Sequence, residues 1–439
     1  MSETTHTQSA AAQAMKMVEG YSVEHTGPGT PAGRYLRRFW QPVYHCADLK
    51  VGRPVPLKIM NEDFTLYRDE NGVAHLTEAR CPHRGTLLTS AWVEGEALRC
   101  FYHGWKFGPD GKCIEQPAEE SSFIQRISLR MWPVREYLGL VFAYLGEGAP
   151  PAFPLYPPFE RFNGLVEVDS YLRECNYYQN VENSLDMSHV GFVHADNKAS
   201  FTGIGLGKAL TAQESDWGVT YVFQRPDGRR RIQQFGMPNV FYMTALPTEP
   251  DIGWQESLFW WVPIDDERHM QFSLHRVPIQ GEAAERFKER REKKRTTIDL
   301  AHQDVCKEIL GGMMRLQDVD RDRVDLVRLQ DDIAQVGQGI FASRNPEKLG
   351  RADIGLAMIR RIVKREIANL VEGRALKDWQ RTQTIVPQVW ALDSDGEKAL
   401  ATTEGEAVAE IIDIRPHVEV KIQMKGLHGA LSAGDRSLK

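Results

Sequence analysis

The stretch Cys81-Pro-His83-Arg-Gly85, answered by Cys100-Phe-Tyr-His103-Gly104-Trp105, decides how the first third of the chain folds. Each run follows strand-like text and opens a loop, so two hairpin loops can close on a metal from opposite sides. Two thiolates and two imidazoles admit two centres. One is a tetrahedral Cys2His2 zinc site. The other is a [2Fe–2S] cluster with thiolates on one iron and imidazoles on the other. Structural zinc sites usually pair like with like along the chain. Here each loop brings one Cys and one His, which suits two irons with different ligands. The plain alternative is that all four are packing or surface residues. Cys46, Cys113, Cys175 and Cys306 show no such pattern and read as ordinary buried thiols.

Outward from these loops the text stays strand-like. Phe64–Arg68 and Val73–Glu78 alternate across Asn71-Gly72, a hairpin signal. A second turn, Gly108-Pro109-Asp110-Gly111, leads into Lys112–Ile114. Before them, Gly27 to Trp40 reads as a turn and a short helix. Five prolines between Pro150 and Pro158 interrupt any helix or central strand. A domain boundary is expected there. Beyond it, Glu174–Val190 reads as a helix, and Gly218–Arg225, Asn239–Leu246, Gln255–Ile264 and His269–Ile279 as antiparallel strands. Ala284–Leu310 and Leu356–Glu372 read as helices, and the mixed-sign segment Glu285–Arg295 as a solvated helix face. Strands followed by helices point to an α+β domain. The expected division is a polar tail over 1–26, a small all-β domain over 27–149, a larger α+β domain over 150–375 and a C-terminal extension over 376–439.

Composition narrows the function. The chain has 439 residues, with 54 basic and 60 acidic side chains and a formal charge of −6. That mild acidity argues against a nucleic-acid binder that tracks phosphates. The longest apolar stretches, such as Tyr137–Gly146, fall well short of the ~20 residues of a membrane span. Residues 1–22 show no secretory h-region, so a cytoplasmic protein is expected. Six cysteines are too few for a disulfide framework.

A second constellation lies at Asn183-Ser-Leu-Asp186-Met-Ser-His189-Val-Gly-Phe-Val-His194. Asn183, Asp186 and His189 share one face if the helix is continuous. His194 would be rotated by about 140° from His189 on a straight helix, and Gly191 between them can bend it. Two histidines and one carboxylate on one face of an iron leave positions open for O2 and substrate. A satisfied core or surface histidine is the plain alternative for each.

These strings resemble a family. CPHRG…CFYHGW resembles the Rieske motif C-x-H…C-x-x-H. The resemblance implies that Cys81 and Cys100 hold one iron of a [2Fe–2S] cluster, and His83 and His103 the other. D-x-x-H-x-x-x-x-H resembles the mononuclear-iron motif of Rieske non-haem iron aromatic oxygenases, the terminal oxygenase or alpha subunits. It implies His189 and His194 as Fe(II) ligands. Asp186 would be the residue that bridges to His103 of a neighbouring subunit, with Asn183 beside it. Arg328-Leu-Gln-Asp331-Asp332-Ile-Ala-Gln335 resembles the family's Q-D-x-x-x-Q segment, which implies Asp331 as third ligand. Asp332 is its nearest rival, and Asp318, Asp320, Asp322 and Asp325 stand behind.

GPGTPAGRYLRRFWQPV and LGRADIGLAMIRR are similar to the branch with phthalate dioxygenase and the aromatic O-demethylases. The implied fold is a small β Rieske domain and a helix-grip, START-like catalytic domain, an antiparallel sheet covered by helices. The implied partners are a separate NAD(P)H reductase, with or without a ferredoxin, and an aromatic acid. The implied assembly is a head-to-tail trimer or stacked trimers. No G-x-G-x-x-G fingerprint follows a strand, so no dinucleotide site is expected in this chain. The leading expectation is oxidative O-demethylation of a lignin-derived methoxylated acid of the vanillate or dehydrodivanillate kind. cis-Dihydroxylation of a phthalate-like ring comes second. A Rieske electron carrier without catalysis and a zinc-stapled binding protein are the rivals from other classes. Arg229, Arg230 and Arg231 read first as exposed turn residues and second as holders of a substrate carboxylate.

Overall fold

The computed structural model describes residues 22–195, 207–224, 228, 230–245, 255–297, 300–344, 347–379, 404–418, 420, 421 and 423. In the first part the described strands are β1 (Trp40–His45), β2 (Val55–Ile59), β3 (Glu62–Arg68), β4 (Ala74–Glu78), β5 (Trp92–Glu94), β6 (Ala97–Arg99), β7 (Lys106–Phe107), β8 (Cys113–Glu115), β9 (Met131–Trp132), β10 (Val134–Tyr137) and β11 (Leu140–Tyr144). They form antiparallel sheets in the orders β1-β11-β10, β2-β3-β4-β9 and β5-β6-β7-β8. The expected hairpin over Asn71-Gly72 joins β3 to β4, and Gly72 takes the left-handed φ of +86° that the turn needs.

The second part continues with β12 (Arg161–Phe162), β13 (Leu165–Arg173), β14 (Lys208–Glu214), β15 (Gly218–Gln224), β16 (Arg230–Gly236), β17 (Val240–Ala245), β18 (Gln255–Pro263), β19 (His269–Val277), β20 (Glu404–Val408) and β21 (Glu410–Asp413). The main sheet runs β14-β15-β16-β17-β18-β19-β13-β21. Its pairs are antiparallel except β13 with β21. The described helices used below are α1 (Pro31–Leu36), α2 (Tyr177–Asn183), α3 (Val190–Val193), α4 (Gly281–Thr297), α5 (His302–Leu310), α6 (Leu326–Val336) and α7 (Ile354–Val371). This is the expected combination of a small β domain and an α+β domain.

Two helices expected as continuous are broken. Ala284–Leu310 divides into α4 and α5, because Ala301 is extended (φ −62°, ψ 148°) and starts a new helix that buries His302, Val305 and Cys306. Glu174–Val190 is helical only from Tyr177 to Asn183, after which the chain turns until α3. Ser188 N–H donates to Asp186 Oδ1 at 2.8 Å, an Asx turn that competes with helical bonding. The break therefore falls at Asp186 and not at Gly191, which lies inside α3.

The two parts share one hydrophobic core. Leu57, Phe64 and Leu140 of the first join Val166, Leu172 and Trp260 of the second. Backbone bonds reinforce the joint, from Met60 N to Pro263 O at 2.8 Å and from Asn61 N to Ile264 O at 3.0 Å. β13 shows why the second part is hollow. Its alternating Val166, Val168 and Leu172 enter the core. By the period of a strand, Glu167, Asp169, Tyr171 and Arg173 face the other way. Four polar side chains on one buried strand face require partners or a polar cavity.

At the edge strand β14, Glu214 accepts from Arg365 of α7 at 2.7 and 3.0 Å and from Lys377 at 2.9 Å. The Arg365 hydrogen bonds, with Lys377 added, hold its carboxyl at about 2 against an ordinary 4.5. A carboxyl depressed by folding stabilises the fold above its unfolded pKa, and that contribution is lost as pH falls from about 4.5 towards 2. The thermal midpoint of wild type is expected to exceed that of Glu214→Gln at about pH 7. The gap should narrow as pH falls below about 4. Melts followed by circular dichroism at several pH values check this.

Candidate metal centres and the cavity beside them

The two Cys/His loops are built alike. Cys81 N–H donates to Thr86 O at 2.8 Å and Gly85 N–H to Cys81 O at 2.9 Å. In the second loop Cys100 N–H donates to Trp105 O at 2.8 Å and Gly104 N–H to Cys100 O at 3.0 Å. Gly85 and Gly104 both sit in the left-handed region, φ +75° and +74°, where a Cβ is strained. Both thiols are buried, whereas His83 is half-buried and His103 exposed. The imidazoles meet edge to face at 4.4 Å, and His83 stacks on Trp105 at 4.3 Å. His83 Nδ1 is buried and has no hydrogen-bond partner. Sulfur inside, nitrogen outside and an unpartnered inward ring nitrogen match the donor set of a [2Fe–2S] cluster with unlike irons. Cys113, Cys175 and Cys306 are buried free thiols, as expected, and Cys46 is half-buried.

The second constellation converges from three elements. His189 closes the turn after α2, His194 ends α3, and Asp331 lies on α6. One potential ligand atom from each lies within 4.8 Å of the others. His194 Nε2 is 3.3 Å and His189 Nε2 3.8 Å from Asp331 Oδ1. Burial would raise the Asp331 carboxyl, but His194, Arg173 and His189 outweigh it and hold it at about 2. Two imidazoles and one carboxylate can hold a divalent metal on one face and leave the opposite face open. The helical face expected for Asn183, Asp186 and His189 does not exist, yet all three reach the site. Asn183 Nδ2 lies 3.5 Å from Asp331 Oδ1, and Asp186 Oδ2 3.7 Å from His189 Nδ1.

The rival carboxylates are occupied elsewhere. Asp332 accepts from Arg173 Nε at 2.6 Å and lies 3.3 Å from His302 Nε2. Asp325 pairs with Arg323, and Asp318 with Arg315. Asp320 and Asp322 are exposed. Of the three arginines Arg229–Arg231, Arg229 lies outside the described residues and Arg230 is exposed at the start of β16.

Sequence reading missed two supports of this site. Gln330 Oε1 is 2.9 Å from His194 Nδ1, so it accepts from that nitrogen and frees Nε2 for a metal. Its only signal was its place directly before Asp331. Arg173 is 1% exposed and donates to Asp332, to Gln335 Oε1 at 2.9 Å and to Tyr171 Oη at 3.1 Å. No sequence signal pointed to it, because the strand that it ends is not legible in the text either.

Beside the triad lies a cavity of about 720 Å³. Phe241, Phe259 and Trp261 line one side, Gln271, Ser273 and His275 another. Among the described residues no helix is long and apolar enough to cross a membrane.

Residues 39–137 match the Rieske [2Fe-2S] domain. The chain is 30% identical over 359 residues to the 5,5'-dehydrodivanillate O-demethylase oxygenase subunit of a Sphingobium species, covering 79% of each chain. It is 33% identical over 373 residues to the phenoxybenzoate dioxygenase subunit alpha of Ectopseudomonas oleovorans, covering 79% of this chain and 84% of that one. The terminal oxygenase of carbazole 1,9a-dioxygenase from Nocardioides aromaticivorans shares the fold, with a TM-score of 0.58 at 17% identity over 78% of this chain and all of that one.

Two outcomes are expected at the triad. Gln330→Leu should weaken divalent-metal binding by about 10- to 100-fold, read by Fe(II) titration. Arg173→Met strands Asp332 in the interior and should cost about 3–5 kcal/mol, read by urea unfolding.

Proposed function

Because the chain belongs to the Rieske non-haem iron oxygenases, we propose that it is a terminal oxygenase that O-demethylates a methoxylated aromatic acid of the dehydrodivanillate kind. The enzyme class and its cofactors follow from the family: a Rieske [2Fe–2S] cluster, a mononuclear iron, O2, and electrons delivered by a reductase. The residue roles, the substrate and the assembly are this reading's own. One observation carries it: His189, His194 and Asp331 converge at a cavity with Phe241, Phe259 and Trp261 along one side.

In this reading Cys81, His83, Cys100 and His103 hold the cluster, and His189, His194 and Asp331 hold the iron. When bound, that iron would supply the O2 chemistry that oxidises a methoxy C–H bond. The rest is work for side chains. Gln330 fixes the His194 ring, and Asn183 stands against the Asp331 carboxylate. Trp261 and Phe259 offer ring faces for an aromatic substrate, and the cavity wall excludes bulk water from the methyl group. One oxygen atom enters the methyl C–H bond, and the product breaks down to a phenol and formaldehyde. The other oxygen takes two electrons and two protons and leaves as water.

Electrons must reach the iron from a cluster. His103 is exposed, and Asp186 keeps 31% of its side chain accessible beside His189. A carboxylate so placed can accept from His103 of a neighbouring copy on one side and from His189 Nδ1 on the other. A closed head-to-tail ring of three copies satisfies every such contact. The reductase, with or without a ferredoxin, then docks where a cluster is open to solvent.

A second reading is cis-dihydroxylation of a ring acid, which the 33% identity to a phenoxybenzoate dioxygenase subunit favours. Formaldehyde separates the two, because dihydroxylation releases none. The expected result is substrate-dependent O2 uptake with one formaldehyde per methyl group lost. Asp186→Asn should keep cluster absorbance and iron content but lose turnover by about 100-fold, the upper end for supports of metal ligands. Full activity in that variant overturns the bridging role, and indifference to His189→Ala overturns catalysis at this site.

A further inference from the structure

The strand register divides the cavity into rows that step away from the metal triad. The first row is Tyr171, Gln271 and Trp261, and Gln271 Oε1 accepts from Tyr171 Oη at 2.8 Å and from Trp261 Nε1 at 3.0 Å. Tyr171 marks this row as the inner one, since it bonds Arg173, which stands 4.0 Å from Asp331. The second row is Asp169, Ser273, Phe259 and Phe241. Its Asp169 is held by Arg328, one helical turn before Asp331. The third row is Glu167, His275, Ser257 and Met243, with Ser257 Oγ 2.8 Å from His275 Nδ1. Its Glu167 is held by Arg291 of α4 at 2.5 Å.

Two regularities follow. Every row is polar on β13 and β19. On β18 and β17 the lining is aromatic or sulfur-bearing at Trp261, Phe259, Phe241 and Met243, and turns polar towards the outer end at Ser257 and Gln255. A flat ring therefore has a face to lie on along much of the cavity. The first and third rows are four residues apart along β13, a distance of about 13 Å. That exceeds one substituted benzene ring. The volume of about 720 Å³ also sits in the upper half of the roughly 300–1,000 Å³ usual for small-molecule sites. Charged side chains of both signs, Glu167 paired with Arg291 and then Lys294, Arg321 and Asp322, also line the cavity.

We infer that the cavity selects a two-ring aromatic acid, with one ring on Trp261 and Phe259 beside the triad and the second reaching the Ser257–His275 pair. This rests on the reading of the cavity as the substrate site. A single ring on the first two rows leaves Met243 and the Ser257–His275 pair of the third row without a ligand surface to cover them. The second ring buries that apolar area, the main source of added affinity. Burial and the neighbouring Arg291 push the His275 ring down to about 4, so near neutral pH it meets the ligand as an uncharged hydrogen-bonding group. Ser257 and His275 are specificity residues in this scheme, remote from the reacting methyl group.

The test is calorimetric binding to anaerobic holoenzyme of 5,5'-dehydrodivanillate, 3-phenoxybenzoate and vanillate. The two-ring acids are expected to bind tighter than vanillate by about tenfold or more. Equal or tighter binding of vanillate overturns the inference. Ser257→Phe, which fills the third row, should bring the preference down towards one, with iron and sulfide content as the check on folding. Ser257→Leu serves if the phenylalanine variant loses its metals. Retention of the full preference in a metal-replete variant overturns the placement of the second ring. Tight two-ring binding without formaldehyde release keeps the inference and overturns O-demethylation instead.

Discussion

Arg173 is a full positive charge with almost no contact with water, and the rest of the site is arranged around it. A buried guanidinium is tolerated only with compensating charge and hydrogen bonds. Arg173 finds them in Asp332, Gln335 and Tyr171. Asp332 also meets His302, itself fully buried. This cluster locks β13 to α6 and α5. It takes up one of two adjacent aspartates and leaves the other, Asp331, facing the histidines. Its charge also helps to hold Asp331 ionised in a place where burial alone would neutralise it. The geometry of the triad is thus a consequence of where one arginine is satisfied.

Much of this was legible in residue order. Spacing alone brought out the paired loops around Cys81 and Cys100, because two thiols and two imidazoles at short intervals have few uses. The hairpin at Asn71-Gly72 and four strands of the main sheet followed from turn chemistry and alternation. The edge strands β14 and β21, the interior strand β16, whose opening Arg230 and Arg231 read as turn residues, and β13 did not. β13 reads LVEVDSYLR, and its polar side chains suit a cavity that local text does not announce. The interruption at Asp186 was also hidden. An aspartate can sit on a helix face or turn the chain through its own carboxylate, and the choice depends on what packs behind. Asp331 and Asp332 are neighbours in the chain, hence about 100° apart in helical rotation. The family resemblance favoured one of them, and tertiary packing shows how the two differ: one faces imidazoles, the other a guanidinium.

The two centres place opposite demands on the chain. The cluster loops need buried sulfur and outward nitrogen, and glycines at positions 85 and 104 let each loop fold back on its own cysteine. The triad needs imidazoles that are held but not consumed by other partners. Gln330 meets this for His194 by bonding the nitrogen that a metal would not use. The surrounding sheet supplies a third requirement, a space shaped for organic rings. Its polar and apolar walls come from different strands, so that property belongs to the sheet as a whole.

Gly355 at the start of α7 is a small feature with a long reach. A Cβ there would stand 2.7 Å from the Leu185 carbonyl oxygen, so the helix backbone rests directly against the turn that carries Asp186. No residue of α7 lines the cavity, so that turn is braced from outside it. Side chains of β17, β18 and β19 can therefore drift over evolutionary time, and with them the choice of substrate, while the height of the turn stays calibrated by a helix that never meets the substrate.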